Sequence, residues 1–185
     1  MKRYYAGIGS RETPEEIIKI MIQIAESLGK MGIILRSGAA EGADDAFEIG
    51  CDNVNGKKEI YLPWKGFGNS KSTLIVKDPK AFELVEKYHP GFSRLSQGAL
   101  KLQARNSHQV LGLDLNTPSD FIICYTPKGK GSGGTGQALR IAKDYSIPVF
   151  DCGLYEDDLD LLKEEYIKFI KTTFESALKS EWSLH

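Results

Sequence analysis

Three short apolar runs in this chain pass directly into clusters of glycine and small residues, each of which opens a helical pattern. Tyr4 to Ile8 leads into Gly9-Ser10-Arg11, Ile33-Ile34-Leu35 into Ser37-Gly38, and Asp120 to Tyr125 into a turn spanning Gly129 to Gly136. A strand that feeds a helix, repeated along the chain, is the signature of a parallel sheet with right-handed crossovers. The first helix has the clearest signals. Thr13-Pro14-Glu15-Glu16 reads as an N-cap, a first-turn proline and acids on the helix dipole, and Ile17, Ile18, Met21, Ile24, Ala25 and Leu28 follow at helical spacing. Gly29 and Gly32 supply the stop.

The same unit recurs. A helical pattern covers Ala39 to Ile49, a third strand covers Glu59 to Leu62, and Pro63-Trp64 ends it. Residues 64–95 break the regularity with Gly66, Gly68, Pro79 and Pro90 around a short helix at Pro79 to Lys87, and read as a lid-like excursion over the ligand edge. Helices over Ser96 to Leu111 and Gln137 to Asp144, a strand at Ile147 to Phe150 and an amphipathic helix at about 157–178 complete the plan. The expected fold class is α/β: a Rossmann-like open sheet, mostly parallel, with helices on both faces. A length of 185 residues fits one core, so residues 1–185 are expected to form a single domain.

Composition narrows the function. A formal net charge of -1 removes the overall basicity that attracts nucleic acid or an acidic membrane, so any basic site is local. Cys51, Cys124 and Cys152 are odd in number and far apart, which suits neither a disulfide framework nor a zinc spacing, and points to a reducing cytoplasm. No apolar run reaches about 18 residues and the N-terminal segment has no apolar signal core, so neither membrane spanning nor secretion is expected. His89 and His108 lack any ligand spacing and read as packing or capping residues. No metal and no cofactor are expected.

In open parallel sheets the ligand crevice lies beyond the carboxyl ends of the strands, where all three glycine turns fall. In the first, Gly9 and Ser10 bring backbone N–H groups to an anion beside a helix N-terminus, and Arg11 adds charge. The second, Ser37-Gly38-Ala39-Ala40-Glu41-Gly42-Ala43-Asp44-Asp45, brings small residues to a helix start. Its carboxylates are read as dipole partners or caps, or as groups for ribose hydroxyls and acid–base work. The third, with Gly133, Gly134, Thr135 and Gly136, is too rich in glycine for a simple connection, because each glycine loses extra backbone entropy on ordering. Anion binding explains it better than a surface loop, with Lys128 and Lys130 raising the local potential, and the absence of G-x-x-x-x-G-K-[ST] excludes a P-loop ATPase. Arg105 and Asn106 sit on the helix that bears Leu102, Val110 and Leu111, where a guanidinium can clamp phosphate or make a surface ion pair. Trp64, Phe67 and Tyr125 are secondary candidates for stacking on a base or for packing.

Taken in order, Gly9-Ser10-Arg11, Ser37-Gly38-Ala39-Ala40-Glu41-Gly42-Ala43-Asp44, Arg105-Asn106 and Gly133-Gly134-Thr135-Gly136-Gln137-Ala138 resemble the motifs of the SLOG superfamily. The resemblance is to DprA-like Rossmann domains above all, and it covers residues 4 to 151. It implies binding of nucleotides, nucleotide-derived signals or single-stranded DNA, with phosphate contacts at Ser10, Arg11, Ser37, Gly38, Arg105, Asn106, Gly134 and Thr135. Two departures shape this reading. Glu41 stands where DprA-like proteins usually carry a basic residue, which disfavours single-stranded DNA. The more distantly related LOG-type phosphoribohydrolases carry P-G-G-x-G-T-x-x-E, but here Gln137 and Arg140 occupy the threonine and glutamate positions, so their mechanism does not transfer. A glycosidic cleavage would need another carboxylate, with Asp44 and Glu48 as the candidates. The function expected is a sensor or sequestering domain for a nucleotide-type small molecule, with an N-glycosidase and a DNA binder as alternatives. The apolar terminal helix and the aromatics around Trp64 are read as covering either the chain's own core or a second subunit.

Overall fold

The computed structural model describes residues 2–182, with side-chain surroundings through residue 175. Six strands form one open sheet: β1 (Tyr4–Gly9), β2 (Ile34–Ser37), β3 (Lys58–Leu62), β4 (Leu74–Ile75), β5 (Phe121–Tyr125) and β6 (Val149–Asp151). Their spatial order is β4-β3-β2-β1-β5-β6, and every pairing is parallel. Strand order therefore reverses between β1 and β5, which run in register from Tyr5 opposite Phe121 to Gly9 opposite Tyr125. A crevice opens at such a reversal because the connections leave the two strands on opposite faces.

The alternation of side chains along each strand builds two cores. Tyr5, Phe121, Ile123 and Tyr125 point to one face, which is covered by α1 (Glu15–Lys30), α2 (Ala43–Asn53) and α6 (Leu159–Trp182). Ala6, Ile8, Ile122 and Cys124 point to the other, covered by α3 (Pro79–Tyr88), α4 (Gln97–Leu111) and α5 (Thr135–Asp144). One face of α6 covers the chain's own sheet, where Leu162 is buried and Phe169 and Phe174 meet Phe121 edge-on, while Leu161 and Ile167 are exposed. All three cysteines are free and buried. No helix among the described residues is long and apolar enough to cross a membrane.

The elements depart from the sequence expectations at their ends. Thr13 does not cap α1; its hydroxyl donates to the Ser10 carbonyl at 2.7 Å, closing a turn, while extended Pro14 takes the cap position without a side-chain bond. Helix α2 starts at Ala43 rather than Ala39, because Ala39 is left-handed with φ 55° and cannot continue a right-handed helix. Strand β6 starts at Val149, after Pro148, whose carbonyl accepts from the Ile122 N–H at 2.9 Å but which has no N–H to give a ladder. Within the excursion, Leu74–Ile75 adds an edge strand to β3 and α3 joins the layer beside α4, with Asp78 capping α3 ahead of Pro79.

Candidate functional site

Beyond the ends of β1 and β5 lies a cavity of about 490 Å³. Its walls come from the first glycine turn (Gly9, Ser10, Arg11, Glu12), the start of α2 (Asp44), one face of α4 and the third glycine turn through Thr135. The first turn is held by the Ser10 N–H donating to the Tyr125 carbonyl at 3.0 Å, and the Ala43 N–H reaches the Ser10 carbonyl at 3.3 Å. This ties the start of α2 to that turn. Arg11 stands exposed at the rim and forms no salt bridge among the described residues.

At the base sits a buried ion pair. The Arg105 guanidinium donates through Nη1 to the Gly38 carbonyl at 2.5 Å and to Asp44 Oδ2 at 3.3 Å, and Gln109 Nε2 donates to the same carboxylate oxygen at 3.3 Å. The backbone N–H groups of Ala40 and Gly9 also favour the Asp44 carboxylate. Burial is nevertheless the larger influence on both partners: it pushes Asp44 up to about 6 and Arg105 below its ordinary value, against their mutual attraction. Arg105 Nε is buried without an acceptor. Gly38 is required here, since a Cβ would lie 2.6 Å from Gln109 Nε2 and 2.7 Å from Arg105 Cδ.

The folded pKa of Asp44 lies above the unfolded value of 3.8, so its protonation stabilises the fold below 3.8 and that stabilisation is lost as pH rises through about 6. Asp44→Asn is expected to abolish this fall between pH 4 and 6. Urea melts across that range check it; an unchanged slope in the variant refutes it.

The third turn is pinned from below. Asp151 at the end of β6 accepts from the Thr126 N–H at 2.9 Å, from the Gly153 N–H at 3.0 Å and from the Thr126 hydroxyl. That hydroxyl in turn accepts from the Gly131 N–H at 2.9 Å. Left-handed Gly129, Gly131 and Gly133 let the chain double back into α5. Asn106 Nδ2 donates to the Gly134 carbonyl at 2.8 Å, fixing the turn to α4. Gly134 takes the cap position of α5 without a side-chain bond, the Gly136 N–H donates to the Gly133 carbonyl at 3.2 Å, and the helix start at Thr135 lies in the cavity wall.

Of the residues expected from the sequence, Gly9, Ser10, Arg11, Asp44, Arg105, Asn106, Gly133, Gly134 and Thr135 line this one cavity. Ser37, Gly38, Gly136 and Glu48 do not. The Ser37 hydroxyl donates to the Gly7 carbonyl at 2.6 Å, Gly38 stands behind Arg105, and Glu48 pairs with Lys58 at 2.7 Å. Trp64, Phe67 and Tyr125 also lie outside the lining; Trp64 meets Phe67 edge-on, and the Phe67 ring lies 5.7 Å from the Arg105 guanidinium. No lining residue comes from 64–95. His108 stacks on Tyr61 and its Nδ1 contacts the Gly112 carbonyl at 3.0 Å, a packing role. Among the described residues no three His, Cys, Asp or Glu side chains converge on a metal position.

The sequence reading missed Glu12, Leu102, Gln103 and Gln109, all of which line the cavity. A signal for the α4 residues existed. Gln103-Ala104-Arg105-Asn106-Ser107-His108-Gln109 is polar at every position but one, yet it is buried throughout. A polar run on a helix that packs against a sheet needs internal partners or a ligand.

No family model matches the chain, and no curated protein matches it. Solved structures do. DNA processing protein A from Helicobacter pylori, described for its single-stranded DNA binding, is 24% identical with a TM-score of 0.50, covering 80% of this chain and 64% of that one. DNA processing protein A (DprA) from Streptococcus pneumoniae is 18% identical with a TM-score of 0.51, covering 89% of this chain and 56% of that one. The Moco carrier protein of Chlamydomonas reinhardtii is 14% identical with a TM-score of 0.52, covering 83% of this chain and 77% of that one. This chain thus spans less than two thirds of either DprA chain. At these identities the likeness is one of fold, and the fold is the Rossmann-like, DprA-type α/β architecture that these structures share.

Proposed function

We propose that this chain binds a nucleotide or nucleotide-derived small molecule, as a sensor or sequestering domain, with the ligand's phosphate between Arg105 and the start of α5. The observation that carries this reading is the buried Arg105 in the wall of a cavity formed by two glycine turns and the start of α5. Each supplies donors or positive potential, which offset the Asp44 and Glu12 carboxylates in the same wall. A cavity of about 490 Å³ is of the size that takes one small ligand.

Native mass spectrometry with nucleoside monophosphates, cyclic nucleotides and NAD-derived compounds, followed by chromatography for released base, tests the proposal. An intact bound ligand supports it; no binding across the panel overturns it. Arg11→Ala is expected to weaken the bound ligand about tenfold, the effect of one charge-assisted contact at an exposed rim.

A hydrolytic reading rests on Asp44, the one predicted catalytic carboxylate in the cavity. Its donors fix the carboxylate in position, where it can stabilise a sugar cation once ionised, and released base that disappears in Asp44→Asn would select this reading. Binding of single-stranded DNA, the property described for the Helicobacter protein, is opposed by the net charge of -1 and by exposed Glu41. It would show as affinity that falls steeply with salt.

A further inference from the structure

Outside the cavity, a group of basic side chains gathers beside the same glycine turn. The turn has two sides: Gly134 faces Gln103 of the cavity wall, whereas a Cβ at Gly136 would lie 3.2 Å from Arg140 Nη1. Arg140 does not line the cavity. Its Nε donates to the Tyr88 carbonyl at 2.5 Å, which orients the guanidinium toward the segment that follows α3. In that segment a Cβ at Gly91 would lie 3.4 Å from Arg94 Nη2 and 3.5 Å from His89 Cε1, so both basic side chains converge on one small residue.

The charges in this group are not neutralised. Among the described residues, no carboxylate forms a salt bridge with His89, Arg94 or Arg140. The nearby carboxylate on α5, Asp144, is taken by Lys87 at 3.1 Å and by the Tyr88 hydroxyl. Glu86, one turn back on α3, makes no bond to the group. His89 is pressed toward its neutral form by burial first and then by the Arg140 and Arg94 charges. Its Nδ1 accepts from the Gly91 N–H at 3.1 Å, so the neutral ring carries its proton on Nε2 as a donor. Two guanidinium groups and an imidazole donor fit a tetrahedral dianion, which offsets the charge the two arginines set against a protonated His89 and matches planar N–H forks.

We propose that His89, Arg94 and Arg140 form a second anion site, separated from the cavity by the glycine turn, and that it takes a phosphate group. The site uses none of the cavity residues and stands independently of the ligand proposed there. A phosphate bound at it raises the basicity of His89.

The test is NMR titration of the histidine Cε1–H resonances in the full chain, with inorganic phosphate against chloride at matched ionic strength. Phosphate is expected to raise the His89 midpoint by about one unit. His108, buried against Gly112, serves as the unmoved control. His89→Gln identifies the resonance. Arg140→Gln and Arg94→Gln are each expected to remove at least half of the phosphate-induced shift; Arg94 is exposed, so its variant keeps the test open where the Arg140 change disturbs the Tyr88 contact. A nucleoside 5′-monophosphate tested alongside separates the sources: a shift with both anions assigns a free phosphate site, and a shift with the nucleotide alone assigns the phosphate of a nucleotide. Arg11→Ala weakens the cavity ligand but leaves the His89 shift intact, which keeps the two sites distinguishable. A His89 midpoint that neither anion moves, or that chloride moves equally, overturns the proposal.

Discussion

Arg105→Met is expected to weaken nucleotide binding about a hundredfold, the upper range for a buried charge-assisted contact, and also to cost about 3 kcal/mol of stability at neutral pH. Both effects follow from one side chain with two roles. Toward the protein, its guanidinium neutralises Asp44 and satisfies the Gly38 carbonyl. Toward the cavity, it forms part of the wall. A loss of affinity could then reflect a damaged fold alone, and the double variant Asp44→Asn/Arg105→Met resolves this. Removing the stranded carboxylate is expected to restore most of the stability, since replacing both members of a buried pair costs far less than deleting one. Binding is expected to stay lost. Isothermal titration with urea melts on the wild type, both single variants and the double variant closes the cycle; full affinity in the double variant would dismiss Arg105 as the phosphate clamp.

Arg36→Met is expected to lower stability by about 3 kcal/mol and the melting temperature by roughly 10 °C, with nucleotide affinity unchanged. Arg36 is 2% exposed in the centre of β2. Its Nε donates to Glu59 at 2.8 Å, its Nη1 to the Thr117 carbonyl at 2.6 Å and to Ser119 Oγ at 3.3 Å, and its guanidinium lies 3.9 Å from the Tyr4 ring centre. The change strands the Thr117 carbonyl and removes the charge that holds Glu59, which also accepts from the Tyr61 hydroxyl at 2.6 Å. Glu59 keeps 28% exposure, so water recovers part of its solvation and the loss stays at the lower end for a broken buried pair. Thermal melts with a parallel titration check both halves; a change in melting temperature below about 2 °C would mean the network contributes little.

Arg36 also shows where the sequence stopped being legible. Strand, glycine turn and helix could be read because each follows from neighbours a few residues apart, and this placed the sheet, its two helical layers and the crevice. The Arg36 partners lie at positions 59, 117 and 119, beyond any local pattern. Strand β4 has two residues, too few for alternation to register. The site divides in the same way. Gly9 to Arg11 and Gly133 to Thr135 were legible because glycine before a helix has few other uses. Asp44 and Glu48 are four residues apart and so share a face of α2, but four residues are about 6 Å along the axis, which carries Glu48 away from the helix start and toward Lys58 on the next strand. Gln103 and Gln109 were hidden in a run of ordinary surface-type residues whose burial only the packing of α4 decides.

The Asp151 anchor beneath the third glycine turn bears on kinetics. A turn this rich in glycine, left free, would have to be immobilised by each arriving molecule, slowing capture and charging every complex the same entropic toll. With the Thr126 hydroxyl already fixed by Asp151 and holding the Gly131 N–H, the surface assigned to the ligand in the proposed function exists before the encounter. Under the proposed function, capture is expected to proceed near the rate set by diffusion and orientation, with competing molecules sorted by how long each one stays.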